Sequence, residues 1–311
     1  MAKVAFVFPG QGSQAVGMGK DLFEKFPEAR AVFEAADAAL AEKLSEKCFQ
    51  GPEGDLKLTA NTQPAILTVS VAAHAIFSKR GPVPAFVAGH SLGEYSALVA
   101  AGALPLADAV RAVRARGTFM QEAVPEGVGA MAAVLGLEPA RVKAACDEAA
   151  QGQVVSPANY NSPEQTVIAG NAQAVERAGA KCKEAGAKRV MPLPVSAPFH
   201  CALMDPVKPR LSEVLGKVAV SAPSIPVVSN VEATPNADAS RVVPLLIEQV
   251  SSPVRWIECV EALKAGGVTH IVELGPGKVL CGLVKRITKD IETFNVEDSA
   301  TLEKALAALG A

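Results

Sequence analysis

The chain has 311 residues, 50% apolar and 20% charged, with a formal charge of −2, one Trp and two Tyr. This is the composition of a globular protein of one large domain, or a large domain with a smaller companion, able to bury a deep pocket; disorder is not indicated. No Lys/Arg run interleaved with aromatics speaks for nucleic acid, and no stretch approaches the roughly 18 uninterrupted apolar residues of a membrane span, so neither is expected as a partner.

The opening Lys3 to Phe8 is a near-continuous apolar run ended by Pro9-Gly10, which reads as a buried, central parallel strand rather than a signal segment. A cytoplasmic location is therefore expected. Ala-rich segments with apolar residues at helical spacing follow over 18 to 48 and 62 to 80, with Gly51-Pro52-Glu53-Gly54 as a loop between them. Residues 82 to 89 read as a second buried strand, and 92 to 102 and 105 to 124 return to helix. This alternation of strand and helix is the sign of an α/β fold.

Between 127 and 195 the pattern changes. A strand over 128 to 135, a helix over 138 to 150, and a hairpin of 153 to 160 and 165 to 169 turned at Asn161-Ser162-Pro163-Glu164 are followed by a helix over 171 to 186 and a strand over 188 to 194. The order β-α-β-β-α-β is the ferredoxin-like arrangement. The chain then resumes the α/β pattern with a helix after His200, a strand at 225 to 228, helices near 240 to 250 and 255 to 266, and a strand at 269 to 273. The expected organisation is a large domain of 1–126 and 196–311 with a parallel sheet, interrupted by a small subdomain of 127–195. Two chain crossings between such units create a cleft, a favoured place for a ligand.

Gly89-His90-Ser91-Leu92-Gly93 is G-x-S-x-G between a predicted strand and a predicted helix, the setting of a nucleophile elbow. Glycine on both sides lets strand and helix approach, and the serine hydroxyl stands at a helix N-terminus where developing negative charge is favoured. A serine nucleophile needs a base, and four histidines are available. His74 lies in an apolar helical pattern and His270 in a strand, both most simply structural. His90 should diverge from its neighbour Ser91. His200, where the chain re-enters the large domain, can face the cleft.

Pro9-Gly10-Gln11-Gly12-Ser13-Gln14-Ala15 matches G-x-G-x-x-A after a strand, but no second strand ending in an acidic residue follows about 20 positions on, as a dinucleotide site requires. The turn is better used as a close-packed loop whose backbone N–H groups form an oxyanion hole beside the elbow. The six Cys, at 48, 146, 182, 201, 259 and 281, stand singly with no CxxC pair, so no metal site or disulfide framework is expected, although Cys201 adjoins His200.

Taken together, Phe8 to Gln14, Asn61-Thr62-Gln63-Pro64-Ala65, Gly89-His90-Ser91-Leu92-Gly93-Glu94-Tyr95-Ser96, Arg116-Gly117-Thr118-Phe119-Met120-Gln121, Pro198-Phe199-His200 and Glu273-Leu274-Gly275-Pro276-Gly277 resemble the malonyl-CoA:acyl carrier protein transacylase family. The motifs keep the family's order and span nearly the whole chain. The resemblance implies an α/β-hydrolase-like large domain with an inserted ferredoxin-like subdomain. It also implies malonyl-CoA and acyl carrier protein as substrates, a ping-pong reaction through a malonyl-serine, and no cofactor. Residue by residue, it implies Ser91 as nucleophile, His200 as base and acid, a backbone carbonyl at Gln249 orienting the histidine, and the backbone N–H groups of Gln11 and Leu92 as oxyanion hole. Arg116, Met120, Phe199 and Gln63 would contact the substrate.

Arg116 alone, beside Arg111 and Arg114, would read as part of a solvated helical face; the resemblance makes it the partner of the malonyl carboxylate, for which a planar, permanently charged fork is suited. Met120 lies one helical turn further on. Phe199 resembles the residue associated in related acyltransferases with malonyl over methylmalonyl. A serine esterase or thioesterase using the same elbow, and a non-catalytic docking subunit, are the rival readings. A free-standing chain favours the dissociated fatty acid pathway over polyketide synthesis.

Overall fold

The computed structural model describes residues 2–125, 127–195 and 197–310. Strand β1 (Val4–Phe8) is followed by helices α1 (Lys20–Lys25), α2 (Pro27–Leu40), α3 (Leu44–Gln50) and α4 (Glu53–Lys57), where one long helical stretch and a loop were expected. The breaks have local causes. Phe26 is extended (φ −124°, ψ 120°) and Pro27 opens α2, where its fixed φ suits the first turn, while Ala41 closes α2 in the left-handed region. Gly51 and Pro52 do form a connection, but Glu53 already begins α4.

Helix α5 (Thr59–Arg80) runs 22 residues and is buried on nearly every side through its first half, so it belongs to the interior rather than to an amphipathic surface. Strand β2 is shorter than expected, Phe86–Gly89, and leads to α6 (Gly93–Ala100) and α7 (Leu106–Glu122). The middle section holds β3 (Gly129–Leu135), α8 (Pro139–Ala149), β4 (Val155–Ser162), β5 (Gln165–Asn171), α9 (Ala172–Glu184) and β6 (Arg189–Pro192). The hairpin turn is only Pro163-Glu164. After a 3-10 turn at Ala202–Met204 come α10 (Val207–Leu215), β7 (Val227–Val228), β8 (Pro235–Asn236), α11 (Ala239–Gln249), α12 (Trp256–Ala265) and β9 (His270–Leu274). Three elements lie beyond the last one expected from sequence: α13 (Val279–Ile287), β10 (Glu292–Val296) and α14 (Ser299–Leu309).

The larger sheet has the order β10-β9-β1-β2-β7-β8, parallel throughout except for the two-residue edge strand β8. β1 is central, and its flanking strands are sequence-distant, as crossover connections require. Helices cover both faces. Phe6, Phe8, Ile66, Leu67, Val110 and Val113 belong to one core, and Ala5, Val7, Trp256, Val260 and Ile271 to the other, so successive residues of β1 serve opposite faces. This is a large α/β-hydrolase-like sheet.

The second sheet, order β4-β5-β3-β6 with every pair antiparallel, draws all its strands from 129–192. One face carries α8 and α9 over Ala132, Val134, Ile168, Cys146 and Cys182; the alternate residues Met131, Ala133, Val167 and Ala169 join the main core. Strand β4 is also tied to the large sheet's surroundings, because Tyr160 N–H donates to the Val254 carbonyl (2.9 Å) and Val254 N–H to that of Ala158 (2.8 Å). Glu126 and Ser196, at the two expected crossings, lie outside the described residues. Among the described residues no helix is long and apolar enough to cross a membrane.

Candidate active site

Strand β2 ends at Gly89 and α6 starts at Gly93, leaving three residues to reverse the chain. Ser91 sits at φ +51°, a left-handed conformation costing a non-glycine residue on the order of 1–3 kcal/mol. The turn closes only because its flanks lack side chains. A Cβ on Gly89 would fall 1.9 Å from the Gly93 carbonyl carbon, and one on Gly93 would fall 2.0 Å from the Phe8 oxygen. Asn230, wholly buried just after β7, holds the strained turn from below: its Oδ1 accepts from Ser91 N–H (2.6 Å) and its Nδ2 donates to the Gly89 carbonyl (2.6 Å).

The Ser91 hydroxyl lies 2.7 Å from His200 Nε2. His200 is itself buried and left-handed (φ +58°), and its Nδ1 faces two backbone carbonyls, Gln249 at 2.9 Å and Ser252 at 3.2 Å. Carbonyls only accept, so Nδ1 carries the proton and Nε2 is left as the acceptor for the serine hydroxyl. No carboxylate is needed to set this tautomer.

Burial, with the nearby Arg116 charge, pushes the His200 pKa down to about 3, against the opposing pull of the two carbonyls. A lowered pKa keeps the base neutral as pH falls, so activity is lost only when pH drops through the lowered value. The expected result is that kcat/KM for acylation of Ser91 changes less than about two-fold between pH 8 and pH 5. An ordinary histidine would lose about 30-fold over that range. Stopped-flow acylation rates across the range check this, and an acid limb near pH 6.5 would contradict it.

Of the other histidines, His74 and His270 lie apart, and His90 lines the pocket without meeting the Ser91 hydroxyl. His74 packs against Phe6 and Phe8, and burial pushes its pKa down to about 4. His270 stacks on Phe294 near Glu292. His90 diverges from Ser91 as expected, its Nε2 meeting Asn161 Oδ1 at 2.8 Å across the cleft. Cys201 is buried with its Sγ on the Pro198 carbonyl, and burial pushes the thiol up to about 11, so it offers no thiolate at neutral pH.

Parallel pairing sets Phe8 opposite Gly89, which brings the loop after β1 alongside the elbow. A Cβ on Gly10 would lie 2.5 Å from the His90 carbonyl oxygen. Gln11 and Leu92 line the same pocket as Ser91 and His200, and among the described residues neither backbone N–H finds a protein acceptor. They are free to receive an oxyanion.

Arg116 does not share the outer face of Arg111 and Arg114: exposed Arg111 pairs with half-buried Asp108, and half-buried Arg114 with Asn61 and Glu42, whereas Arg116 is 1% exposed. Gly117 makes room for this. A Cβ there would approach the Thr59 oxygen to 2.7 Å, so α7 lies directly on the start of α5 and brings Arg116 to Gln63. Arg116 Nη1 donates to Gln63 Oε1 (2.8 Å), and Nη2 to Gln249 Oε1 (3.0 Å) and Ser91 Oγ (3.2 Å); Nε has no partner. A buried guanidinium with an unpartnered N–H, beside the Ser91 hydroxyl, is able to take up an anion.

Gln63 Nε2 points at Met120 Sδ (3.8 Å), and Met120 and Phe199 complete the wall. The pocket is small, about 110 Å³. It shares Gln11, His90, Asn159, Leu193 and Val195 with an adjoining, mostly apolar cleft of about 400 Å³.

Every site residue expected from sequence is therefore brought to one place. Asn230, Ser252 and Glu94 were not expected there. Glu94, in the first turn of α6, looks from sequence like an ordinary acidic residue at a helix N-terminus. Asn230 follows the carboxyl end of a parallel strand, where sites in such folds gather, and that was the one signal available. Among the described residues, no group of three or more His, Cys, Asp or Glu is arranged to hold a metal.

Residues 5–305 match the family model described as the acyl transferase domain. The malonyl CoA-acyl carrier protein transacylase of Salmonella typhimurium is 52% identical over 307 residues, covering 98% of this chain and 99% of that one; that of Bacillus subtilis is 50% identical over 310. Among solved structures, an acyl carrier protein S-malonyltransferase from Vibrio cholerae superposes with a TM-score of 0.96 at 51% identity, covering 98% of this chain and all of that one. The malonyl-transacylase PlMCAT, solved in complex with AntF, its type II polyketide acyl carrier protein, also superposes at 0.96, with 48% identity over 99% of this chain and all of that one. With its elbow serine, carbonyl-oriented histidine and buried arginine in one pocket, the chain belongs to the acyl transferase domain family, among the malonyl-CoA:acyl carrier protein transacylases.

Proposed function

We propose that this protein moves a malonyl group from malonyl-CoA to the phosphopantetheine thiol of an acyl carrier protein, through a malonyl ester on Ser91. The observation that carries the reading is Arg116, a buried cation 3.2 Å from the nucleophilic oxygen with an N–H left unpartnered. A substrate whose acyl group ends in a carboxylate supplies the missing acceptor.

In the first half-reaction Ser91 Oγ attacks the thioester carbonyl while His200 Nε2 takes its proton, and the N–H groups of Gln11 and Leu92 hold the oxyanion. The intermediate collapses with loss of the coenzyme A sulfur, which receives the proton from His200. The malonyl ester remains with its carboxylate on Arg116. In the second half-reaction the carrier's thiol gives its proton to His200 and attacks the ester, and Ser91 recovers the proton as it leaves. Both thiols end the same pantetheine arm, which enters by the cleft that adjoins the pocket. The 110 Å³ pocket and the Phe199 ring restrict the acyl group to a small one.

Residues 127–195 act as the small subdomain forming one cleft wall, with 1–126 and 196–311 as the catalytic domain. The reaction takes place in the cytoplasm and supplies fatty acid synthesis. A general esterase has no use for a buried carboxylate site, and a docking subunit has none for an intact Ser91-His200 pair.

Intact-mass measurement after brief mixing with malonyl-CoA tests the reading. The expected result is a single malonyl adduct that disappears when carrier protein is added, with the mass gained by the carrier; an adduct lost to water at the same rate with or without carrier would make the protein a hydrolase. For Phe199→Ser, the expected result is methylmalonyl transfer rising about ten-fold relative to malonyl, within the 1–3 kcal/mol that one methyl commands. Competition between the two thioesters reads this, and an unchanged ratio would remove Phe199 from acyl selection.

A further inference from the structure

Beneath the elbow, a buried carboxylate joins residues that otherwise belong to separate elements. Glu94, 2% exposed, uses one oxygen, Oε2, to accept from both Asn230 N–H (2.9 Å) and Gln249 Nε2 (2.8 Å). Each recipient then reaches the reacting groups. The Asn230 side chain holds the Ser91 N–H and the Gly89 carbonyl. Gln249 touches all three functional side chains or their backbone. Its Nε2 also donates to the Ser91 carbonyl (3.1 Å), its Oε1 accepts from Arg116, and its main-chain carbonyl accepts from His200.

We propose that Glu94 is a positioning residue for malonyl transfer, holding the Gln249 and Asn230 side chains so that the elbow and the carboxylate-binding face of Arg116 keep one arrangement. This rests on the acyl-transfer reading above. A side-chain amide has two orientations, and only one presents Oε1 to a guanidinium. An oxygen acceptor on the opposite side selects that orientation, whether Glu94 is ionised or carries a proton on its other oxygen, because the flipped amide would set its oxygen against Oε2 and its N–H groups against those of Arg116. The selection matters because Arg116 has no carboxylate within ion-pairing distance among the described residues; its held positions are amide oxygens and the serine. Burial raises the Glu94 pKa to about 7, against the pull of Asn230, Gln249 and Arg116, a desolvation that a helix-capping charge at the surface would avoid.

Glu94→Gln and Glu94→Met test this at equal charge. Both remove the carboxylate, but glutamine can place its carbonyl oxygen where Oε2 stood and accept both donors, and methionine cannot. For the wild type and both variants, the measurements are initial rates of malonyl and acetyl transfer to carrier protein, calorimetric binding of free malonate, and thermal melting. The methionine variant should transfer malonyl about 100-fold more slowly than the glutamine variant, with the malonyl-to-acetyl ratio at least about 10-fold lower and malonate binding weakened in proportion.

Equal behaviour of the two variants would overturn the proposal, as would equal loss of malonyl and acetyl transfer in the methionine variant with malonate binding unchanged, the mark of a merely structural role. Should Glu94→Met fail to fold, Gln249→Met cuts the same link while keeping the main-chain carbonyl on His200. It must show the same selective loss, and an unchanged ratio there overturns the proposal. Wild-type protein that transfers no malonyl would sink the functional reading instead, while malonate binding in the variants still decides for or against Glu94.

Discussion

Ser91→Ala is expected to abolish the malonyl adduct and to lower transfer to carrier protein by at least about 10⁴-fold, with malonyl-CoA binding retained within a few-fold. The size follows from how the site is built. The nucleophile, base and oxyanion groups act as a unit, so removing the attacking atom leaves the other parts nothing to act on. His200→Ala should cost a similar amount, because the same proton would have to leave the serine unaided, and the double variant should be little worse than either single one. Retention of the wild-type fold is expected in Ser91→Ala, since Asn230 grips the backbone of the turn rather than the hydroxyl. Intact-mass and radiolabel transfer assays check the result; an adduct persisting in Ser91→Ala would place the ester on another residue.

Arg116→Ala is expected to lower kcat/KM for malonyl-CoA by about 10²- to 10³-fold and to leave acetyl-CoA within about 10-fold of wild type. A bidentate, charge-assisted pair formed in a desolvated pocket is worth several kcal/mol, and leaving the substrate carboxylate unpaired there adds its own penalty. Acetyl-CoA brings no carboxylate and loses neither. The residual effect on acetyl reflects Gln63 Oε1 and Gln249 Oε1, which lose their donor when the guanidinium goes. Arg116→Lys should fall between, keeping a charge without the planar fork. Steady-state rates with the two thioesters decide it, and equal losses for both would remove Arg116 from acyl recognition and return it to structure.

The serine proposed to react was legible in sequence because an elbow leaves a local mark: an apolar strand, glycine on either side of the serine by two, then a helix. The histidine was reached by elimination among four, which works only because the chain has so few. Arg116 needed another signal. Arg111 and Arg114, three apart, share a face, but Arg116 is two residues beyond Arg114 and falls with Ala112, Val113 and Met120 on the buried face of α7; helical spacing already separates it, and Gly117, whose missing side chain lets α7 lie on α5, lets that face close over it. Glu94 and Asn230 were hidden for a different reason, since each reads as an ordinary polar residue at the end of an element. Their partners lie 136 and more positions away, and nothing local in either sequence position announces them. The segmented helices at 20–57 and the elements after 274 were missed because Ala-rich runs blur helix ends and an edge strand is only partly buried.

The sequence by itself determined the alternation of strand and helix, the inserted βαββαβ unit and the strained turn at Ser91, because each rests on short-range sterics and hydrophobic periodicity; acyl transfer was legible only through the family resemblance its motifs carry. Tertiary structure alone decided that the Ser252 carbonyl joins that of Gln249 on His200, and which acid and which asparagine stand under the elbow. Those depend on residues far apart in the chain, which come within hydrogen-bonding distance only once the whole core is packed.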